Sequence, residues 1–157
     1  MVDMKKFLDE LDKKQFLSLS IILGAFSDAV LLGYLYVRFS NRDIFNLIID
    51  QMKKADPQVK QALAPEYVEQ LFMLMINSLI LMLVFVAILH IIIYFLYSRE
   101  SKFATHYLKL YSYCAIPGFA LLGLSSFSIS PLWSVGFFIG IVGYVLFIKG
   151  INQKLVK

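Results

Sequence analysis

Two long stretches of this sequence carry no charged residue, and they limit the folds that the chain can adopt. Residues 70–98 contain no Lys, Arg, Asp or Glu, and residues 110–148 contain none either. The hydrocarbon core of a bilayer is about 30 Å thick, so a helix needs roughly 20 apolar residues to cross it. The first stretch is long enough for one crossing. The second would form a helix of about 58 Å at 1.5 Å per residue, so it predicts two crossings joined by a turn.

The composition supports a membrane protein. Hydrophobic residues make up 59% of the chain and charged residues 17%, whereas a soluble domain is typically about half apolar and a quarter charged. This balance excludes a disordered chain and argues against a soluble globular domain, because too few polar residues remain to cover a surface. The single cysteine, Cys114, cannot form an internal disulfide, which excludes a disulfide scaffold.

The remaining boundaries follow from local signals. The serine-rich 125–130 segment predicts the turn inside the second stretch, with Ser130 as a cap and Pro131 in the next helical turn. Another apolar segment lies near the start of the chain and is interrupted only by Asp28. It is too long for a cleaved signal peptide and no Ala-x-Ala site follows it, so we interpret it as a signal anchor. The sequence therefore predicts one all-α, polytopic membrane domain over residues 1–157, a four-transmembrane-helix bundle with spans at about 16–37, 70–97, 104–126 and 131–149.

The basic residues predict the orientation of these spans. Cytoplasmic loops of membrane proteins carry an excess of Lys and Arg. With four spans both termini share one side, and together with the loop between the second and third spans they hold ten of the 15 basic residues. The 38–69 loop holds the other five, matched by five acidic residues. We therefore expect cytoplasmic termini and an outer 38–69 loop, and the basic start and single cysteine suit a bacterial inner membrane.

The outer loop contains the pattern of an amphipathic helix. Its apolar residues share the spacing of one helix face: Ile44, Phe45, Ile48, Ile49 and Met52. Asn41 is a suitable N-cap, and Asp56 before Pro57 predicts the end of the helix. A second short helix is predicted at 57–63. The amphipathic helix could lie on the outer leaflet or cap the bundle, or it could offer a partner-binding or substrate-gating surface.

A second amphipathic segment precedes the first span. Residues 1–15 predict a cytoplasmic lead-in, in which Phe7, Leu8 and Leu11 form an apolar stripe. The lysines around this stripe can meet anionic headgroups. The lead-in is either a solvated extension of the first span or a docking element.

Four polar residues inside the spans are candidates for a functional or structural site: Asp28, His90, Asn77 and Tyr113. A carboxylate near the bilayer centre costs several kcal/mol, so Asp28 should face the bundle or a water-filled cavity. It could relay protons or cations, anchor a partner, or hold helices together. Counting along the helices places His90 about two turns nearer the cytoplasm than Asp28. We therefore expect no direct bond between them and consider a relay through Tyr113 or water.

Small residues predict where helices approach closely. They recur on the first span and on the fourth, at Ala25, Ala29, Gly33, Gly136, Gly140 and Gly143. The sequence does not tell whether these contacts lie within the bundle or between copies. Pro117 lies in the middle of the third span and predicts a kink, because proline frees the carbonyl four residues earlier.

No catalytic or metal motif is recognisable in the sequence. Its two histidines have no Cys, Asp or Glu at ligand spacing, and there is no phosphate loop or nucleophile elbow. We therefore expect no enzyme activity, no cofactor and no bound metal. The distribution of basic residues indicates the membrane surface rather than nucleic acid. The expected partners are the lipid bilayer and either further copies of the chain or another membrane protein.

Part of the chain resembles a known family. A long apolar helix ends at residues 90–97 and is followed by a short basic loop at 98–103 and by a Tyr-x-x-x-Pro element, Tyr113 to Pro117. Together with Trp133 at the start of a glycine-rich last span, this resembles the bacterial form of the Ypt-interacting-protein (Yip) family. The resemblance covers about half the chain. That family usually has five spans, whereas four are predicted here, and the GTPase-linked cytosolic segment of its eukaryotic branch has no counterpart.

Two functions follow from these observations. The first is a non-enzymatic integral membrane protein that acts through helix–helix association. The Yip resemblance implies such a role in trafficking, membrane organisation or complex assembly. The second is a small oligomeric transporter or channel that uses the intramembrane Asp28. Because four short helices rarely enclose a route alone, the second function predicts an oligomer.

Overall fold

A computed structural model of the protein describes residues 8, 10–56, 63–127 and 130–154. Within these residues the chain forms five helices and no strand. The helices are α1 (Lys13–Phe39), α2 (Arg42–Ala55), α3 (Pro65–Ser98), α4 (Lys102–Ser126) and α5 (Pro131–Lys154). The helices α1, α3, α4 and α5 are long and apolar enough to cross a membrane. This confirms the predicted all-α, four-span fold with an amphipathic helix in the loop between the first two spans.

The helices are longer than the predicted spans by up to five residues at an end. Differences of five residues occur at the start of α3 and at the end of α5. The helix α3 begins at Pro65 and contains 34 residues, about 51 Å at 1.5 Å per residue. Hydropathy marks only the part of a helix that suits the hydrocarbon core, whereas backbone hydrogen bonding continues into the polar regions beyond it.

Local side-chain chemistry determines where the helices start and stop. The Asn41 carboxamide oxygen accepts hydrogen bonds from the backbone N–H groups of Asp43 (2.9 Å) and Ile44 (3.2 Å), which confirms it as the N-cap of α2. Asp56 is extended and ends that helix, as its position before Pro57 predicts. The predicted helix at 57–63 lies almost wholly outside the described residues.

The first span has an N-terminal cap that sequence reasoning missed. The Asp12 carboxylate accepts from the Gln15 backbone N–H at 2.7 Å, and the Gln15 carboxamide accepts from the Asp12 N–H at 3.0 Å. This reciprocal pair is a capping box. It separates the lead-in from α1. Of the lead-in's apolar residues, Leu8 is buried and Leu11 is packed against the same cluster, while Phe7 lies outside the described residues.

The chain divides into two compact units. Unit 1 comprises Met1–Leu31 and Ile88–Lys157, and unit 2 comprises Leu32–Ala87. Unit 1 contains the main apolar core, whose buried members are Leu8, Phe16, Leu17, Ile93, Tyr94, Tyr97, Ala104, Leu108, Phe147 and Ile151.

The glycines of α5 pack against α1 within unit 1. The two helices run antiparallel, and the contacts pair Gly136 with Val30, Gly140 with Ser27, Gly143 with Leu23 and Gly150 with Phe16. A Cβ added at Gly136 would lie 3.1 Å from a methyl carbon of Val30. The predicted close-packing face of the fourth span is thus used inside one copy of the chain. Because glycine has no side chain, it lets the two backbones approach closely.

None of the small residues predicted on the first span is fully buried. Ala25 and Ala29 lie on the exposed side of α1 and Gly33 is half-buried. Within the described residues, the close approach on α1 occurs at Gly24 instead, against Tyr94. Ala25 and Ala29 are exposed among the described residues, so that part of the prediction stays a prediction.

Serine hydroxyl groups form hydrogen bonds between α4 and α5. The Ser134 hydroxyl donates to the Gly123 carbonyl at 2.7 Å and lies 3.1 Å from the Ser126 hydroxyl. All of these groups are buried. The helix α4 continues through Pro117, and the kink predicted there remains a prediction.

In unit 2, α2 packs on the first part of α3 through one edge of its apolar face. Phe45 and Ile49 are buried, and the Phe45 ring lies 5.1 Å from that of Phe72. The Arg42 guanidinium lies 4.3 Å from the Phe72 ring centroid and 2.6 Å from the Glu69 carboxylate. These contacts fix the start of α2 against α3.

Candidate functional site

Asp28 is buried in unit 1 and is surrounded by hydrogen-bond donors. Its side chain is among the few charged groups with less than a tenth of their surface exposed. The Tyr94 hydroxyl on α3 donates to Asp28 Oδ2 at 2.5 Å, and the Tyr111 hydroxyl on α4 donates to Oδ1 at 3.1 Å. Asp28 therefore faces the interior of the bundle, as expected for a carboxyl inside a membrane.

His90 lies directly against this carboxylate. Its Nδ1 atom is 2.8 Å from Asp28 Oδ2, and the ring is buried. The ring N–H is not aligned with a hydrogen-bond acceptor, so the contact is a close approach of two ionisable groups rather than a well-directed hydrogen bond. Counting along the helices predicts no direct bond between Asp28 and His90, whereas the structure places the two groups in direct contact at ion-pair distance.

The error has a physical cause. Counting residues gives the relative depth of two Cα atoms in the membrane only if both helices are straight and begin at the same depth. However, α3 is longer than a bilayer requires, so its ends do not define its register against α1. The lengths of the two side chains also shorten the distance between their polar atoms relative to that between their Cα atoms.

The aromatic groups around His90 form a cage. The Tyr111 ring meets the imidazole edge to face at 4.8 Å between centroids, and the rings of Tyr94 and Tyr107 lie at 6.1 and 6.3 Å. The Tyr107 hydroxyl is 3.4 Å from His90 Nε2. Both ring nitrogens of His90 therefore have an oxygen atom nearby, one from a carboxyl and one from a hydroxyl.

Helical spacing of four residues explains how the site is assembled. His90 and Tyr94 are four residues apart on α3, and Tyr107 and Tyr111 are four apart on α4, so each pair lies on one face of its helix. This is the sequence signal that could have found the site. The spacing of four residues favours Tyr111 over Tyr113, since residues two apart in a helix point to different sides.

Gly24 completes the arrangement, one turn before Asp28 on α1. A Cβ added at Gly24 would lie 2.6 Å from the Tyr94 hydroxyl oxygen. Only glycine leaves room for that hydroxyl to reach Asp28. The helix α5 closes the opposite side with Tyr144, whose buried ring meets the Tyr111 ring edge to face at 5.8 Å.

Two predicted residues are not part of this site. Tyr113 is about half exposed on α4. The hydroxyl groups that contact Asp28 are those of Tyr94 and Tyr111 instead. Asn77 is exposed on the part of α3 that belongs to unit 2. Among the described residues, no three His, Cys, Asp or Glu side chains gather as a metal site.

The chemistry of the site favours a proton as its ligand. The described polar neighbours of the Asp28 carboxylate are two hydroxyl donors and an imidazole nitrogen. This donor-rich shell stabilises a carboxylate or shares a proton with it, whereas a metal cation needs several oxygen acceptors. A single proton between Asp28 and His90 leaves the pair with no net charge.

The chain matches no family model, no curated protein and no solved structure.

Proposed function

We propose that the protein is a small, non-enzymatic membrane transporter or channel for protons that works as an oligomer and uses Asp28 with His90. The observation that carries the proposal is the 2.8 Å approach of these two buried ionisable groups. Intramembrane ionisable residues are rare because they are costly, and they commonly form proton relays.

The charge balance of the pair explains how a proton could be coupled to movement. With one shared proton, Asp28 and His90 are together neutral and tolerate burial. A second proton removes the negative charge and leaves a buried imidazolium without a counter-ion, which is costly in a low-dielectric medium. The helices that enclose the pair are then favoured to separate until water reaches His90. Loss of the second proton restores the closed packing.

Proton flux across vesicles tests this function. The full chain is reconstituted into liposomes that contain a pH-sensitive dye, and a potassium gradient with valinomycin drives proton entry. We expect acidification well above that of empty liposomes, and loss of this signal in Asp28→Asn.

The matched control is Ser112→Ala. Ser112 is also buried, but its hydroxyl bonds to the Leu108 carbonyl of its own helix. This variant should conduct like the wild type. Wild-type flux equal to that of empty liposomes, or equal flux in Asp28→Asn, would refute the proposal.

A second candidate function is association, as a membrane-organising, trafficking-like or complex-assembly subunit. The Yip resemblance implies this role, and one observation favours it. Helix α2 leaves part of its apolar face uncovered, with Leu47, Ile48 and Met52 each about half exposed. Such a surface suits an apolar partner at the membrane boundary.

A pull-down in mild detergent tests association. Under this function the wild-type chain should bring down a second protein in stoichiometric amount. The double variant Ile48→Glu/Met52→Glu should lose it, and Asn46→Glu, on an exposed polar position of the same helix, should keep it. Absence of a stoichiometric partner, or its retention by the double variant, would exclude α2 as the docking surface.

We also propose that the protein lies in a bacterial inner membrane with both termini in the cytoplasm. The support is the excess of Lys and Arg on the terminal side of the four spans.

A further inference from the structure

Asn77 lies in an unusual place for a polar side chain. It belongs to α3, seven residues into the uncharged 70–98 stretch, and so about 10 Å from its start along the helix. Its side chain is exposed, and no described residue bonds to it. In a single copy of the chain, this carboxamide would therefore face hydrocarbon.

Exposure to lipid is unfavourable for a carboxamide. It has two N–H donors and one oxygen acceptor, and hydrocarbon can satisfy none of them. The neighbouring Ser78 is also exposed, but a serine hydroxyl can bond to a carbonyl one turn earlier in its own helix. An asparagine cannot satisfy all its groups in this way, so Asn77 needs a partner beyond the described residues of its own chain.

The residues that flank Asn77 provide a surface for such a partner. Leu74, Asn77, Leu81 and Val84 follow spacings of three, four and three residues, and all are exposed within unit 2. This is the heptad spacing of a helix–helix seam. A single Asn in an otherwise apolar seam fixes the register and the number of helices in coiled coils.

We propose that a second copy of this chain covers this seam, with Asn77 of one copy bonded to Asn77 of the other. Copies inserted in the same orientation are related by a two-fold axis along the membrane normal, which places the same residue of each at the same depth. A carboxamide is self-complementary, because each one can donate its N–H to the oxygen of the other. This self-complementarity is the reason for assigning a second copy of the chain as the partner.

This inference does not depend on the role of Asp28. It supplies the contact that an oligomeric transporter needs, but a dimer could equally serve an association function. The dimer and the proton site can therefore be tested separately.

Native mass spectrometry of the full chain released from lipid vesicles measures the dimer. We expect a dimer for the wild type and for Ser78→Ala, and a roughly tenfold weaker dimer for Asn77→Ala, since hydrogen bonds between membrane helices contribute modestly. Circular dichroism and thermal melting confirm that each variant is folded.

Disulfide cross-linking locates the contact. In a Cys114→Ser background, Leu81→Cys places a thiol on the seam and Met82→Cys places one on a different side of the helix that is also exposed. We expect oxidation to cross-link the first and not the second.

Three results would overturn the proposal. They are a monomeric wild type, an equal dimer fraction in Asn77→Ala and Ser78→Ala, or a complex formed only with a different protein. A normal proton flux in a monomeric wild type would refute this proposal and the oligomeric state in the proposed function, but not the role of Asp28 and His90.

Discussion

Adding one methyl group at Gly140 should destabilise the fold, whereas the same addition at Gly118 should not. A Cβ at Gly140 would lie 2.6 and 2.8 Å from two ring carbons of Phe119. At Gly118 nothing lies within 4 Å. Both glycines are inside spanning helices, so Gly118→Ala controls for the change in backbone preference.

The magnitude follows from the surroundings of Phe119. Carbon atoms prefer separations of about 3.5–4.0 Å, so the ring would have to move by about 1 Å. It is fully buried and meets the rings of Phe137 and Tyr144 edge to face at 5.2 and 5.3 Å. Overpacking of this kind costs about 1–3 kcal/mol.

Replacing glycine by alanine inside a helix also contributes a gain of up to about 1 kcal/mol. This gain is common to both variants, so their difference isolates the steric cost. We expect Gly140→Ala to be less stable than Gly118→Ala by about 1–3 kcal/mol, measured by equilibrium unfolding in mixed micelles. Equal stability of the two variants would refute the view that Gly140 mediates the contact between α1, α4 and α5.

Three further predictions test other parts of the molecule. Tyr94→Phe should lower the free energy of unfolding by about 1.5–3 kcal/mol, because it removes a hydrogen bond to a charged group, while Tyr113→Phe on the exposed side of α4 should change it little. Equal melting temperatures would contradict the arrangement around Asp28. Asn41→Ala should raise hydrogen exchange of α2 by the loss of about 0.5–2 kcal/mol of capping energy, with exchange of α4 unchanged. Equal exchange of α2 in the wild type and in Asn41→Ala would show that the cap has no such effect. A cysteine replacing Asn46 in a Cys114→Ser background should react with an impermeant reagent in intact cells, and reaction only after permeabilisation would reverse the proposed orientation.

The spans could be predicted because hydropathy and a few punctuating residues determine them. Lipid requires a continuous apolar stretch of known length. Asn41 and Pro131 then mark helix starts through local side-chain and backbone chemistry, and the structure starts one helix directly after Asn41 and another at Pro131. These signals are local and do not depend on how the helices pack.

The site was only partly predictable, because it depends on how each helix is rotated about its axis. In a soluble helix the apolar side marks the interior, but a membrane helix is apolar on all sides. Asp28 could be placed in the interior from its cost in lipid. Its partners could not be chosen by depth alone, and the four-residue spacing of Tyr107 and Tyr111 is the stronger guide.

The same limit applies to the small residues. Glycines at 136, 140 and 143 and alanines at 25 and 29 form similar patterns in the sequence. Only the glycines meet another helix within the described residues. Spacing identifies a face that permits close approach, and the three-dimensional packing decides whether the face is used.

The contact between Asp28 and Tyr94 has a consequence for biosynthesis. The two residues are 66 positions apart, and a ribosome adding about 5–20 residues per second needs about 3–13 s to make that length. During this interval α1 can already be in the membrane with a carboxyl group that has none of its final partners. A protonated carboxyl or a membrane-insertion factor bound to α1 would lower that cost. The glycines of α5, the last helix, can pack against α1 only after α5 has been inserted.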